Sequence, residues 1–422
     1  MMKEKIKETL DGLKDFQTKT VDYVFEQLYK NGRSKMLIAD EVGLGKTIVA
    51  KGIIAKAFEQ FIPQPAKPAF NVIYVCSNQA LARQNLKKLN FTGDNLAIDY
   101  SEDDDRLTGL AYISAKEEKQ YPFRIKAFTP ATSFDDKTHA GKADERVLLY
   151  RLLYSYSDFK PLCNSLKWIL KGNRRIKDEN WETRIQNAED LDSGKDIYWL
   201  KQIRPKVFSE FKKALEEPIR PDKLPKSFSA AGITYPVKYW TLLKNLCQLG
   251  IRKNNYYNYS FSKELISYLR FLLSRVCLEF LQADIFILDE FQRYKKLIDN
   301  TATSYDDEEE VSPAIQLARD IFSFDNSKIL MLSATPFKPY TNDFDELNGE
   351  VHYNEFKMVL KFLMADKTES FWKEYETDRK AFFGFIRHPD TLESKMPEPL
   401  QLKQKLEELY RTSRRKGSGL NF

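Results

Sequence analysis

Cysteine and histidine are scarce, with 4 Cys and 3 His in 422 residues. Cys76, Cys163, Cys247 and Cys277 stand apart with no CxxC spacing, which argues against a disulfide framework and against a thiolate or imidazole zinc site. Such usage points to a reducing, cytoplasmic compartment. Long hydrophobic runs are also missing. The opening MMKEKIKETLDG alternates charges with single apolar residues, and the most apolar later stretch, Phe271 to Leu288, is broken by Arg275 and Glu279. Neither a signal peptide nor a membrane span is expected. A large excess of one charge is absent too: the formal net charge of +6 permits an anionic partner such as DNA without identifying one. No internal repeat divides the chain.

What is present is an ordinary globular composition, 42% apolar, on a chain long enough for two or three domains. Short runs rich in Ile, Val and aromatics at Met36 to Ala39, Asn71 to Cys76, Arg124 to Phe128 and Asp284 to Leu288 read as strands buried on both faces of one parallel sheet. Between the first two, Ile48, Val49, Ile53, Ile54, Ala57 and Phe58 recur at helical spacing until prolines 63, 65 and 68 stop the pattern. Ser77 can cap a further helix running to Leu89. Strands alternating with helices predict a doubly wound α/β domain that binds its ligand at the carboxyl ends of the strands.

The first strand leads into DEVGLGKT, Asp40 to Thr47, and then into a helix. A turn of this kind directs successive backbone N–H groups and a helix N-terminus at an anion. Gly43 and Gly45 allow close phosphate approach, Lys46 can reach the outer phosphates, and the Thr47 hydroxyl can ligate magnesium. Asp40 stands where the strict phosphate-loop pattern has glycine. Far downstream, DIFILDEF sets two carboxylates, Asp289 and Glu290, at the end of the last of these strands, and KILMLSATPF adds a fifth apolar run ending in Ser333-Ala334-Thr335-Pro336.

In this order the segments resemble the motifs of superfamily 2 helicases and translocases. Asp40, Glu41, Gly43, Leu44, Gly45, Lys46 and Thr47 are similar to the phosphate loop of the SWI/SNF-type branch, and MLSATPFKPYTNDFDELN is similar to bacterial members of it. The resemblance covers roughly residues 10 to 135 and 280 to 365 and implies a RecA-like P-loop fold that binds ATP and Mg2+. It implies that Asp289 holds magnesium while Glu290 orients and deprotonates the attacking water. Gln292, in a DEFQ where relatives carry DEAH or DEAD, takes the place of a residue that couples hydrolysis to the SAT segment; an ordinary surface glutamine is the other reading. LKDFQTKTVDYVFEQL resembles the Q motif, in which the amide of Gln17 would read adenine. YVCSNQALARQNL and FTPATSF resemble the segments that contact the nucleic-acid backbone, with Ser77, Asn78, Thr129 and Thr132 as candidates. Each of these four also suits a helix cap or a turn.

The expected organisation is therefore a RecA-like domain in two segments, 1–135 and 280–345, interrupted by a large helical insertion at 136–279 and followed by a helical extension at 346–422. Basic residues such as Lys171, Arg174, Lys212 and Lys213 lie near Trp168, Trp181 and Trp199 in the insertion, but acids are interleaved, so a solvated helical surface with core aromatics is the preferred reading there. Thr301 to Glu310 is polar and acidic, as a loop would be. No second strand-rich domain is evident after Tyr340, and Arg411, Arg414 and Arg415 lie in a polar tail. A complete motor of this kind needs a second RecA-like domain, or a partner subunit, to bring an arginine to the ATP. The reading is an ATP-dependent motor on duplex or single-stranded DNA. The alternative, from another class, is a non-catalytic ATP-binding or DNA-binding switch module.

Overall fold

Along most of the sheet successive side chains go to opposite faces and both sets are buried, as a parallel sheet covered on two sides requires; in Phe123–Phe128 only one set is fully buried, and Arg124 and Lys126 of the other are half-buried. A computed structural model of the chain describes residues 2–39, 43–63, 67–76, 79–94, 97–99, 106–113, 121–128, 141–172, 178–192, 202–219, 238–252, 259–290, 327–333, 352–364 and 367–387. The strands are β1 (Lys35–Ala39), β2 (Phe70–Val75), β3 (Ile98–Asp99), β4 (Phe123–Phe128), β5 (Ile285–Asp289) and β6 (Lys328–Ser333). They form a six-stranded, wholly parallel sheet in the order β1-β6-β5-β2-β4-β3. The five apolar runs of the sequence are β1, β2, β4, β5 and β6, with ends shifted by a residue at most places. β3 is an addition: two residues have too little pattern to announce a strand.

One face of the sheet is covered by α1 (Met2–Asp11), α2 (Asp15–Tyr29), α3 (Lys46–Glu59) and α4 (Gln79–Leu89). Met36, Ile38, Val72, Ile285 and Leu330 point to these helices, and each aliphatic side chain so buried contributes about 1.5–3 kcal/mol. α2 lies close against α3 because Gly52 has no side chain: a Cβ there would meet Val21 Cγ2 at 2.8 Å and Leu13 Cδ1 at 3.2 Å. That approach sets the height of Gln17 relative to the start of α3.

The other face, with Leu37, Ile73, Phe128, Phe286 and Met331, packs on Leu107, Leu278, Leu281, Val359 and Phe362. Val359 and Phe362 belong to α11 (His352–Leu363), the first of two helices described after β6; the second is α12 (Glu369–Arg387). Lys35 fastens α11 to β1, donating from Nζ to the Phe362 carbonyl at 3.2 Å and lying 3.9 Å from the centre of the Phe362 ring. Burial lowers the Lys35 pKa from its ordinary value.

Between β4 and β5 the described elements are helical: α5 (Ala143–Tyr154), α6 (Cys163–Lys171), α7 (Asp178–Asp192), α8 (Pro205–Glu216), α9 (Tyr239–Arg252) and α10 (Tyr259–Cys277), with short 3-10 turns at Lys160–Leu162 and Leu278–Phe280. They bury a hydrophobic cluster of their own, including Leu149, Leu166, Trp181, Phe211 and Leu269. Trp181 is in that core, whereas Trp168 is 54% exposed. Lys206 pairs with Glu279 and Lys213 with Glu210, as expected of a mixed-charge solvated surface.

A buried ionic cluster ties these helices to the segment between β3 and β4. Arg106 donates to Glu145 at 2.8 Å, Thr108 donates to the same carboxylate at 2.9 Å, and Arg270 approaches it at 3.1 Å. Burial alone would raise the Glu145 pKa, but Arg270 and Arg106 outweigh it and hold the carboxyl below the usual range. All four cysteines are free. Among the described residues no helix is long and apolar enough to cross a membrane.

Candidate functional site

The carboxyl ends of β1, β6 and β5 lie side by side, and each carries one of the polar segments singled out in the sequence. Ala39, the last residue of β1, is in register with Ser333 at the end of β6, and Asp289 at the end of β5 is in register with Leu332. With one strand between them, β1 and β5 are about 10 Å apart at the usual spacing of strands, enough to seat a phosphate chain and a cation. Ser333 is fully buried beneath this edge.

α3 begins at Lys46 behind Gly45, whose φ of 80 places it in the left-handed region; Gly43 has φ 91. The first turn closes when the Ile48 and Val49 N–H groups donate to the Gly45 carbonyl at 2.8 and 3.0 Å. Lys46 and Thr47 precede those bonds, so helix geometry directs their N–H groups out of the N-terminus toward the loop. Both residues are half-buried, while Gly43 and Leu44 are exposed. Asp40 and Glu41 lie outside the described residues.

Gln17 is buried beneath the loop, 5% exposed. Its Nε2 donates to the Leu44 carbonyl at 3.3 Å and its Oε1 accepts from the Lys14 N–H at 3.0 Å, so the amide joins the start of α2 to the phosphate loop. A Cβ on Gly45 would come within 2.7 Å of that same Nε2.

At the opposite side of the edge, Glu290 is the residue after β5 and has φ 50, unusual for a residue with a Cβ; Gln282, just before the strand, is the other described example. The Glu290 N–H donates to the Leu332 carbonyl at 3.0 Å, which holds the turn against β6. Strain of this kind persists where the surroundings impose it, and it clusters at functional sites.

Asp289 is gripped from the neighbouring strand and helix. The Tyr74 hydroxyl, on β2, donates to Asp289 Oδ2; Asn85 Nδ2, on α4, donates to the Tyr74 oxygen at 2.7 Å and reaches Asp289 Oδ2 at 3.4 Å. Burial, then the adjacent carboxylate, pushes the Tyr74 pKa far above its ordinary value, so the phenol stays protonated and donates. Sequence reasoning missed both residues. The available signal was a hydroxyl-bearing aromatic inside the apolar run NVIYVC, since a buried tyrosine needs a partner.

These atoms have the chemistry of a magnesium–nucleotide site. A carboxylate and a hydroxyl are the hard oxygen donors that magnesium takes, the rest of its shell coming from phosphate and water. Among the described residues no group of three or more His, Cys, Asp or Glu is placed to hold a metal.

Residues 5–150 match the family model described as Type III restriction enzyme, res subunit. The match spans about a third of the chain and takes in the phosphate loop, β1 to β4 and most of α5, the first helix described after β4. It places this stretch, at the level of the domain, with the N-terminal RecA-like domains of superfamily 2 helicases. No curated protein and no solved structure matches the chain. Of the remaining candidates, Gln292, Ser77, Asn78, Thr129 and Thr132 lie outside the described residues, as do Ala334 to Pro336.

Proposed function

We propose that the chain is the ATP-binding half of a nucleic-acid motor of the SWI/SNF-like branch of superfamily 2. In this reading residues 1–135 and 280–345 build one RecA-like domain, 136–279 are inserted in it, and 346–422 extend it. The observation that carries the reading is the meeting of two sequence-distant segments at one sheet edge: the loop closed by Gly45 after β1 and the Asp289-Glu290 pair ending β5, with only β6 between. The family match to residues 5–150 supports it from the sequence side.

The residues then divide the work. Backbone N–H groups from Gly43 to Thr47 cradle the phosphates, and the Lys46 ammonium contacts the outer ones. Thr47 and Asp289 would hold magnesium, which, when bound, offsets negative charge on the transferring phosphoryl group. Glu290 orients a water in line with the γ-phosphate and takes its proton. Gln17 stiffens the loop through Leu44, and its amide retains a second hydrogen and a second lone pair for the adenine edge. Ser77, Asn78, Thr129 and Thr132 would meet the DNA backbone, with Gln292 passing the state of the phosphates to the segment after β6.

The test is ATP turnover by the purified chain, with and without DNA at low salt, beside Lys46→Ala. Turnover that rises with DNA and vanishes in the variant is expected, because the charge-assisted contact to the outer phosphates is lost. ATP binding with no turnover under any condition favours a non-catalytic switch. Parental turnover in Lys46→Ala means that the phosphate loop is misassigned.

A further inference from the structure

We infer that Tyr74 and Asn85 are positioning residues that aim the Asp289 carboxylate at a magnesium–nucleotide and tie it to α4, the helix that follows the candidate DNA-contacting residues Ser77 and Asn78. The inference rests on the nucleotide-site reading above. Its basis is a three-membered relay across three elements. Tyr74 on β2 and Asp289 on β5 sit on neighbouring parallel strands, yet they are 215 residues apart in the chain. Tyr74 is 1% exposed, and its hydroxyl is spent on one oxygen of one carboxylate. The Tyr74 oxygen in turn accepts from Asn85, at 2.7 Å, and the Asn85 amide reaches the same Oδ2 at 3.4 Å.

Both donors converge on Oδ2, so the carboxylate is fixed in rotation about its χ2 angle, and neither donor engages Oδ1. A carboxylate held by one oxygen presents the other in a set direction, which is what a single-carboxylate magnesium site needs. Removing such an outer-shell partner generally weakens metal affinity 10–100-fold. Asn85 adds a second consequence. It lies on α4, eight residues after Ser77, so a displacement of α4 changes the aim of Asp289 through one side chain.

The experiment measures binding of a fluorescent ATP analogue as Mg2+ is titrated, in the parent, Tyr74→Phe and Asn85→Ala. Asn85 is only half-buried, so the second variant stays informative if the buried phenol proves necessary for folding; circular dichroism and Tm verify both. Analogue affinity without Mg2+ should be unchanged, and the Mg2+ midpoint should rise roughly tenfold or more in each variant. A folded Asn85→Ala with the parent's Mg2+ midpoint overturns the inference and leaves the nucleotide-site reading intact. A parent that binds no analogue at any Mg2+ concentration overturns both. Loss of affinity equal with and without Mg2+ shows that the pair supports the loop or the fold and not the aim of Asp289, which also overturns the inference.

Discussion

The main-chain N–H of Glu290 donates to the Leu332 carbonyl at 3.0 Å while Glu290 itself sits at φ 50. The bond to β6 keeps the acid in a conformation that L-residues avoid, at a cost of about 1–2 kcal/mol. Two substitutions separate the side chain from the strain. Glu290→Gln should keep nucleotide binding and lower hydrolysis by about a hundredfold or more, because an amide does not accept the water's proton. Glu290→Gly should be equally inactive yet more stable to urea, by about 1 kcal/mol. A glycine variant less stable than the glutamine variant would show that the side chain, not its absence, suits this turn.

The loop glycines should differ in their tolerance. Gly43→Ala meets no atom within 4 Å and bears only the backbone penalty of φ 91, whereas Gly45→Ala combines φ 80 with a 2.7 Å approach to Gln17. Gly43→Ala is expected to cost about 1–2 kcal/mol and Gly45→Ala more, since a contact is forced as well. Adding Gln17→Ala to Gly45→Ala should restore part of the difference, as a non-additive coupling on the order of 0.5 kcal/mol or more. Strict additivity would mean that the loop moves away from Gln17 without resistance.

Glu145 governs an acid-sensitive joint. Its carboxyl pKa in the folded protein lies below 4.5, its ordinary value, because Arg270 and Arg106 outweigh burial. The stability it supplies is therefore complete above about pH 4.5 and is lost as pH falls toward the folded-state pKa. Glu145→Gln removes the carboxylate that two nearly buried guanidiniums share and should lower stability by about 3–5 kcal/mol at neutral pH. The deficit should shrink in the acid range, read from urea unfolding at pH 7 and pH 4. A deficit that stays constant with pH would assign the loss to packing alone.

In the proposed reading, an arginine from a second RecA-like domain reaches the γ-phosphate. Such a group is worth on the order of a thousandfold or more in phosphoryl transfer. A cognate second RecA-like domain added to residues 1–422 should raise their ATP turnover steeply. Mutation of that domain's arginine should remove the gain. Turnover that the added domain leaves unchanged would show that the arginine comes from residues 1–422 themselves.

Local pattern was enough for the strands and for the loop. Runs such as MLIA and IFIL are apolar at every position because both faces of a parallel sheet are buried, and Gly43 and Gly45 before a helical run marked the turn into α3. Helical periodicity likewise announced the start of α3 and the helical stretch before β5. Strand order was another matter, since adjacency in a sheet depends on how the chain crosses over and leaves no mark in local composition. For that reason β6 between β1 and β5, the left-handed turn at Glu290 and the burial of Gln17 against Leu44 emerged only in the folded chain. The clearest case is Tyr74. The sequence determined that a tyrosine would be buried in β2 and would need a hydrogen-bond partner; only the parallel pairing of β2 with β5, which closes a gap of 215 residues, decided that the partner is Asp289.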